Sequence, residues 1–183
     1  MAKLKARYVD ALLELAEENA NLEQDLEQAL LLRDSLSDQD VLKFLMHPHV
    51  PDQDKQQLFA EVFADKLAEY LLGFLYLMIR KNREALIVPI LNDFIIGVKR
   101  RLGIVTAKVV SAKPLTEQQI DALKKVLARQ LEMQVELDLS VNPNVLGGFY
   151  IEVDGRIFDG TIRSRLNNIK YRFFVSKSAA IMM

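Results

Sequence analysis

Over the first hundred residues apolar side chains recur at spacings of three and four, and after Gly103 the spacing changes to alternation. The first pattern is that of helices with one buried face, the second that of strands. Good helix formers dominate the first part, with one glycine before Gly97, and breakers fall at Asn19 to Asn21, Ser35 to Asp38, Pro48 to Pro51 and, more weakly, near Asp65 and Asn82. Six helices are predicted, over residues 2–19, 22–35, 38–47, 51–64, 66–80 and 83–102. Their connections are short enough for a bundle. Pro89 is expected to kink the last helix or shift its start.

Beyond Gly103, Val105, Ala107 and Val109 alternate with Thr106 and Lys108. Pro114 and Leu115 lead into a helix, with Thr116 and Gln119 at capping-box spacing and Ile120, Leu123, Leu127 and Leu131 as its stripe. Val135, Leu137, Leu139 and Val141 form a second alternating run, stopped by Asn142-Pro143-Asn144. Gly147 and Gly148 reopen the chain, suiting a bulge or a close backbone approach, before the alternation of Phe149, Ile151 and Val153. Asp154-Gly155 is a two-residue hairpin signal, Arg156 to Phe158 the return strand, and Asp159 is placed to cap a last helix with the stripe Ile162, Leu166, Ile169 and Phe173. A helix between the first two strands implies that they pair in parallel, while the hairpin adds an antiparallel pair. The predicted fold is mainly α with an α+β C-terminal part: a six-helix bundle over 1–103 followed by a small strand-helix-strand-hairpin-helix domain over 104–183.

Two helices carry more apolar surface than a bundle core needs. In the first, Leu4, Tyr8, Ala11, Leu12 and Leu15 form one stripe and Ala6, Val9, Leu13, Ala16 and Ala20 its neighbour. Together they span roughly 220°, against about 100° for an ordinary surface helix. In the fifth, the run from Leu67 through Tyr70 to Ile79 leaves little polar face. Such a helix is either central or a contact surface, and a groove between the two would accept an amphipathic helix from another chain.

Composition narrows the chemistry. The 183 residues are half apolar and contain no cysteine, so disulfides and thiolate catalysis are excluded. Residues 1–102 carry 13 Lys/Arg against 17 Asp/Glu, and residues 103–183 carry 11 against 8, so neither part is basic enough to predict nucleic-acid binding. Charges interrupt the apolar residues of the N-terminus, which therefore lacks the core of a secretory signal and is expected to persist. The longest apolar run, Tyr70 to Ile79, is ten residues, about half of what spans a bilayer. Any membrane association is expected through partners. His47-Pro48-His49 reads as a helix-ending turn rather than a metal pair, and Gly147-Gly148 lacks the lysine and helix of a phosphate loop. Lys99 to Arg101 reads as a favourable C-terminal helix cluster. No catalytic residue, metal or cofactor is expected.

The order of short motifs points to a family. Arg7-Tyr8-Val9-Asp10-Ala11-Leu12 resembles an RYAxAL opening. Pro48 with Lys55 matches a proline followed by a helix beginning with an acidic-lysine pair, Lys81-Asn82-Arg83-Glu84 a KxRE step, and Ser111 to Thr116 an SAxPLT segment. Leu146-Gly147-Gly148-Phe149 and Asp159-Gly160-Thr161-Ile162-Arg163 are similar to IGGF and DGSVR elements. Together, from Arg7 to Arg163, these resemble the delta subunit of F-type ATP synthases, the family of the mitochondrial oligomycin-sensitivity-conferral protein.

The resemblance implies a stator subunit, present in one copy per complex and not a homo-oligomer, and peripheral to the membrane; the N-terminus expected to persist favours the cytoplasmic face of a bacterial cell membrane over an organelle. It implies that the first and fifth helices grip an N-terminal helix of an alpha subunit, and that the C-terminal domain joins the C-terminal ends of b-type stalk subunits. The expected alpha-binding residues are Tyr8, Ala11, Leu12, Leu15, Leu72, Leu75 and Ile79, and Leu12→Asp is expected to abolish binding while leaving the fold native. Gly147, Gly148, Asp154, Gly155, Asp159, Gly160 and Arg163 are expected to be structural. Stalk contacts are expected on the last helix and over Val145 to Tyr150. Two other readings stand beside this one. A small RNA-binding or adaptor protein with a helix-binding groove would show steep salt-dependent RNA binding in its first form. A small hydrolase or transferase using Asp159 and Arg163 would lose activity on Asp159→Asn.

Overall fold

The computed structural model describes residues 2–145, 147–164 and 166. Two compact units divide the chain, the first ending at Leu102 and the second beginning at Gly103.

The first unit is helical: α1 (Ala2–Asn19), α2 (Leu22–Leu36), α3 (Gln39–Leu45), α4 (Asp52–Phe63), α5 (Glu69–Arg80) and α6 (Ile87–Arg101). The breakers act where the pattern placed them. The Asn21 side chain accepts the Gln24 N–H at the start of α2, and that of Asp38 accepts those of Asp40 and Val41 at the start of α3. α5 starts at Glu69, three residues later than expected, because α4 ends in a turn in which the Lys66 and Leu67 N–H groups both donate to the Phe63 carbonyl. Pro89 shifts the start of its helix: Glu84–Leu86 form a single 3-10 turn and α6 begins at Ile87. The proline is then the third residue of α6, among the first four whose N–H groups have no partner inside the helix.

The core is built from the inward faces of these helices, with Leu32, Leu36, Leu71, Met78, Ile90 and Phe94 all fully or almost fully buried. α6 packs on both α1 and α2. A β-carbon at Gly97 would come within 2.8 Å of the Leu13 side chain, so α1 and α6 approach closely there. Two ion pairs flank that contact, Lys5 with Asp93 at 2.7 Å and Arg101 with Glu17. A third, Lys55 Nζ to Glu84 Oε1 at 2.9 Å, is buried and ties the first turn of α4 to the turn before α6.

The second unit holds β1 (Ile104–Ser111), α7 (Glu117–Leu131), β2 (Gln134–Val141), β3 (Phe149–Val153) and β4 (Arg156–Asp159). The sheet order is β2-β1-β3-β4, with β1 and β2 parallel and the other pairs antiparallel. The predicted crossover and hairpin are both present. Thr116 and Gln119 cap α7 reciprocally, and Asp154 and Gly155, with φ of 51° and 73°, make the turn that a two-residue hairpin requires. Leu127 of α7 packs with Ala107, Val109, Ile151 and Val153 as the core of this unit.

Candidate functional site

The double stripe of α1 separates into two roles. Val9, Leu13 and Ala16 of the second stripe are buried in the bundle, together with Leu12 from the first. At 100° per residue, Tyr8, Leu15, Leu4 and Ala11 lie within roughly 100° on the other side of Leu12. Here the chain is uncovered: Leu4 and Tyr8 are half-buried and Ala11 and Leu15 exposed, Leu15 at 42 %. Tyr8 borders α5, its ring edge-on to Phe74 with centroids 6.3 Å apart, and its hydroxyl accepts a 2.8 Å hydrogen bond from Arg83 Nη1. Next to Phe74 on the solvent side of α5 come Tyr70, Leu77 and Gly73, again within roughly 100°. Tyr70 and Leu77 are half-buried, and Gly73 is exposed, with open space where a β-carbon would stand. A shallow apolar groove thus runs between α1 and α5.

The expected contact set is only partly at this groove. Tyr8, Ala11 and Leu15 line it. Leu12, at 3 % exposure, and Leu75 and Ile79, at 0 %, are core residues, and Leu72 sits roughly 160° around α5 from Phe74. The breadth of α5 is central burial on one flank and groove on the other, a distinction that apolar content alone cannot make. An aspartate at position 12 would place a charge in the core, so the expectation of a native fold in that variant is corrected. Gly73, Tyr70 and Leu77 were missed as groove residues. The signal available for Gly73 was its position as the one glycine of the first five helices.

At the far end of the groove Asn19 Nδ2 donates to Asp25 Oδ1 at 3.0 Å, and Asp25 is fully buried beside Tyr70. Burial, and after it the neighbouring Asp25, pushes the Tyr70 hydroxyl well above its ordinary pKa. Asp25 Oδ2 and the Tyr70 hydroxyl both lack a hydrogen-bond partner.

In the second unit the glycine and Asp-Gly segments meet each other. Gly147 and Gly148 have φ of 97° and 80°, and a β-carbon on Gly148 would lie 2.6 Å from the Gly160 carbonyl oxygen. The Ile162 N–H donates to the Gly147 carbonyl and the Gly160 N–H to that of Phe149. Asp159 does not cap the last helix. It accepts the Thr161 N–H at 2.8 Å, which holds its carboxyl below the usual range, and Thr161 caps the helix by accepting the Ser164 N–H. The two-residue correction follows from the turn at Gly160, which is consumed before helical geometry begins at Ile162. Arg163 is exposed in that first turn, Leu166 is helical and exposed, and the predicted stripe positions Ile169 and Phe173 lie outside the described residues. Val145, Phe149 and Tyr150 of the expected stalk segment are half-buried.

The remaining candidates acquire no chemistry. His47 and His49 form an exposed turn in which the His49 N–H donates to His47 Nδ1, and no group of three or more metal-ligating side chains occurs among the described residues. On the sheet face opposite α7, register places Lys108 between Asp138 and Glu152, and Tyr150 beside Asp159, with Glu136 one row away. Four carboxylates against one lysine repel phosphate, so this face does not favour RNA.

Known proteins agree with one another. The sequence matches the family described as ATP synthase delta (OSCP) subunit over residues 4–173. It is 37 % identical over 169 residues to the ATP synthase subunit delta of Halothermothrix orenii, covering 92 % of this chain and 88 % of that one. To the subunit delta of Rhodospirillum centenum it is 32 % identical over 169 residues, covering 91 % of each. A chain of the Toxoplasma gondii mitochondrial ATP synthase hexamer shares the fold, with a TM-score of 0.76 at 19 % identity over 93 % of this chain and 97 % of that one. The coverage is nearly end to end, and the chain belongs to the ATP synthase delta (OSCP) subunit family.

Proposed function

We propose that this chain is the non-catalytic connector of an F-type ATP synthase stator. Its helical unit docks an N-terminal amphipathic helix of the alpha subunit in the α1–α5 groove, and its second unit joins the C-terminal ends of b-type stalk subunits. Rotation of the central shaft exerts torque on the catalytic head, and the connector resists it, so ion transport stays coupled to ATP synthesis. One copy per complex suffices for that task. The family assignment supports the role, and the observation that carries the docking site is the uncovered stripe Leu4, Tyr8, Ala11 and Leu15 beside Phe74. No described helix is long and apolar enough to cross a membrane, in keeping with a peripheral subunit held at the cytoplasmic face through its partners.

The test is calorimetric titration of the full chain with a synthetic peptide of the alpha N-terminus. Ala11→Asp and Leu15→Asp abolish binding with the far-UV circular dichroism unchanged. Binding that survives both substitutions refutes the groove.

A further inference from the structure

We propose that Asp154 is a site of spontaneous covalent modification, at which the Gly155 nitrogen closes a succinimide on the Asp154 carboxyl and water reopens the ring to an isoaspartyl linkage. The second Asp-Gly pair of the same unit, Asp159-Gly160, is protected by its fold.

The chemistry needs only the two residues and water. The Gly155 nitrogen bonds to Asp154 Cγ, the Cγ–O bond of the protonated carboxyl breaks, and its hydroxyl leaves with the proton of that nitrogen as one water molecule. Hydrolysis then adds one water back. Addition at Cγ restores aspartate, whereas addition at the former backbone carbonyl leaves the chain running through Cβ and Cγ, with the old backbone carboxyl as a free side group. The mass is unchanged, and nothing is oxidised or reduced.

The hairpin turn presents what this reaction uses. Asp154 and Gly155 are both exposed and stand between Val153 and Arg156, the pair that closes the β3–β4 ladder. The Gly155 N–H donates to no group among the described residues, and no atom lies within 4 Å of where a β-carbon on Gly155 would stand. Ring closure turns the peptide that joins the two residues. With φ of 51° at Asp154 and 73° at Gly155 the turn is of the I′ class, and that rotation carries it to II′, the other favoured two-residue hairpin loop. Only Gly155 changes the sign of its φ, and glycine takes either sign.

Asp159-Gly160 has the same sequence in opposite circumstances. The Gly160 N–H donates to the Phe149 carbonyl at 3.1 Å, and turning the Asp159–Gly160 peptide breaks that bond. The Gly160 carbonyl is packed against Gly148, where a β-carbon would lie 2.6 Å away. The Thr161 N–H, 2.8 Å from Asp159 Oδ1, favours the carboxylate, which has no hydroxyl to expel. One pair is therefore reactive and the other held.

The product alters the fold locally. An isoaspartyl linkage lengthens the two-residue loop by one backbone carbon, and loop length sets hairpin register. The loss falls on β4, whose one neighbour in the sheet is β3.

The experiment incubates the full chain in heavy-oxygen water at neutral pH, folded in one sample and unfolded by urea in the other, and maps both by mass spectrometry. In the folded chain heavy oxygen enters Asp154 at least roughly tenfold faster than Asp159, where two hydrogen bonds must break first. The Asp154 peptide also resists a protease that cuts before aspartate and accepts a methyl group from an isoaspartyl methyltransferase. In urea the two sites label at comparable rates. Equal rates in the folded chain overturn the inference, as does labelling of Asp154 in urea alone. A tenfold difference that persists in urea overturns the protection by fold.

Discussion

Leu12 and Leu15 stand one turn apart on α1 and separate folding from docking. Leu12 is 97 % removed from solvent in the free protein, so Leu12→Ala forfeits both transfer energy and packing, about 2–5 kcal/mol. For a helical unit of this size, each 1 kcal/mol corresponds to about 4–8 °C in melting temperature. Leu12→Ala should therefore lower the melting point of that unit by at least ~8 °C. Leu15 is 42 % exposed, and its docking value is the burial still to come. Taking about 1.5–3 kcal/mol for complete burial of a leucine, that fraction yields about 1 kcal/mol, so Leu15→Ala weakens peptide binding roughly fivefold. Differential scanning calorimetry and titration calorimetry on the same preparations measure both quantities. At a temperature where both variants are folded, Leu12→Ala should bind nearly as the parent does. If Leu15→Ala destabilises as much as Leu12→Ala, or binding falls equally in both, α1 does not divide its labour in this way.

Three further outcomes follow from the geometry. Lys55→Met leaves the buried Glu84 carboxylate unpaired and should cost roughly 3–5 kcal/mol, whereas the joint change with Glu84→Leu should recover most of that in denaturant titration. Gly148→Ala forces a β-carbon into a left-handed position 2.6 Å from the Gly160 carbonyl, and should destabilise the second unit by at least ~1–3 kcal/mol, read as lost amide protection in Phe149 and Gly160. The Asp159 carboxyl is held below its usual range by the Thr161 N–H, so its contribution is present above the ordinary aspartate value and is lost as pH falls through the lowered one; NMR titration of its side chain should show that depressed midpoint, and Thr161→Pro, which removes that N–H, should return it toward the ordinary value.

The order and type of the elements were legible because helix breakers and caps act locally. Asn21, Asp38, Thr116 and Asp154-Gly155 each do in the structure what their local sequence states. The cap of the last helix was misplaced by two residues because Asp159 and Thr161 are both good cap types, and the choice depends on Gly160 spending two residues in the turn toward Phe149. The groove was legible on α1 and not on α5. On α1 the polar residues Arg7, Asp10, Glu14 and Glu18 bound the stripes, so an apolar residue beyond the core's needs stands out. On α5 almost every position from Tyr70 to Ile79 is apolar, and only the neighbours of the helix decide which flank is core. Motif matching likewise identified Lys55 and Glu84 separately, while their pairing across the bundle is a tertiary fact.

The docking proposed for the α1–α5 groove requires a wall that does not yield under load. α1 meets that need from its opposite side. Gly97 lets α6 approach so near the Leu13 side chain that an added β-carbon would clash with it, so α1 and α6 are closely packed there. The pairs Lys5–Asp93 and Glu17–Arg101 clamp α1 to α6 near its two ends. Each pair is partly exposed and contributes little to stability, since solvent screens it. Their placement matters more than their strength: sliding α1 along its axis breaks both at once, whereas removing either one leaves the other and the Leu13 contact in place. The arrangement thus holds α1 from its opposite side while leaving Ala11 and Leu15 of the groove-facing stripe exposed.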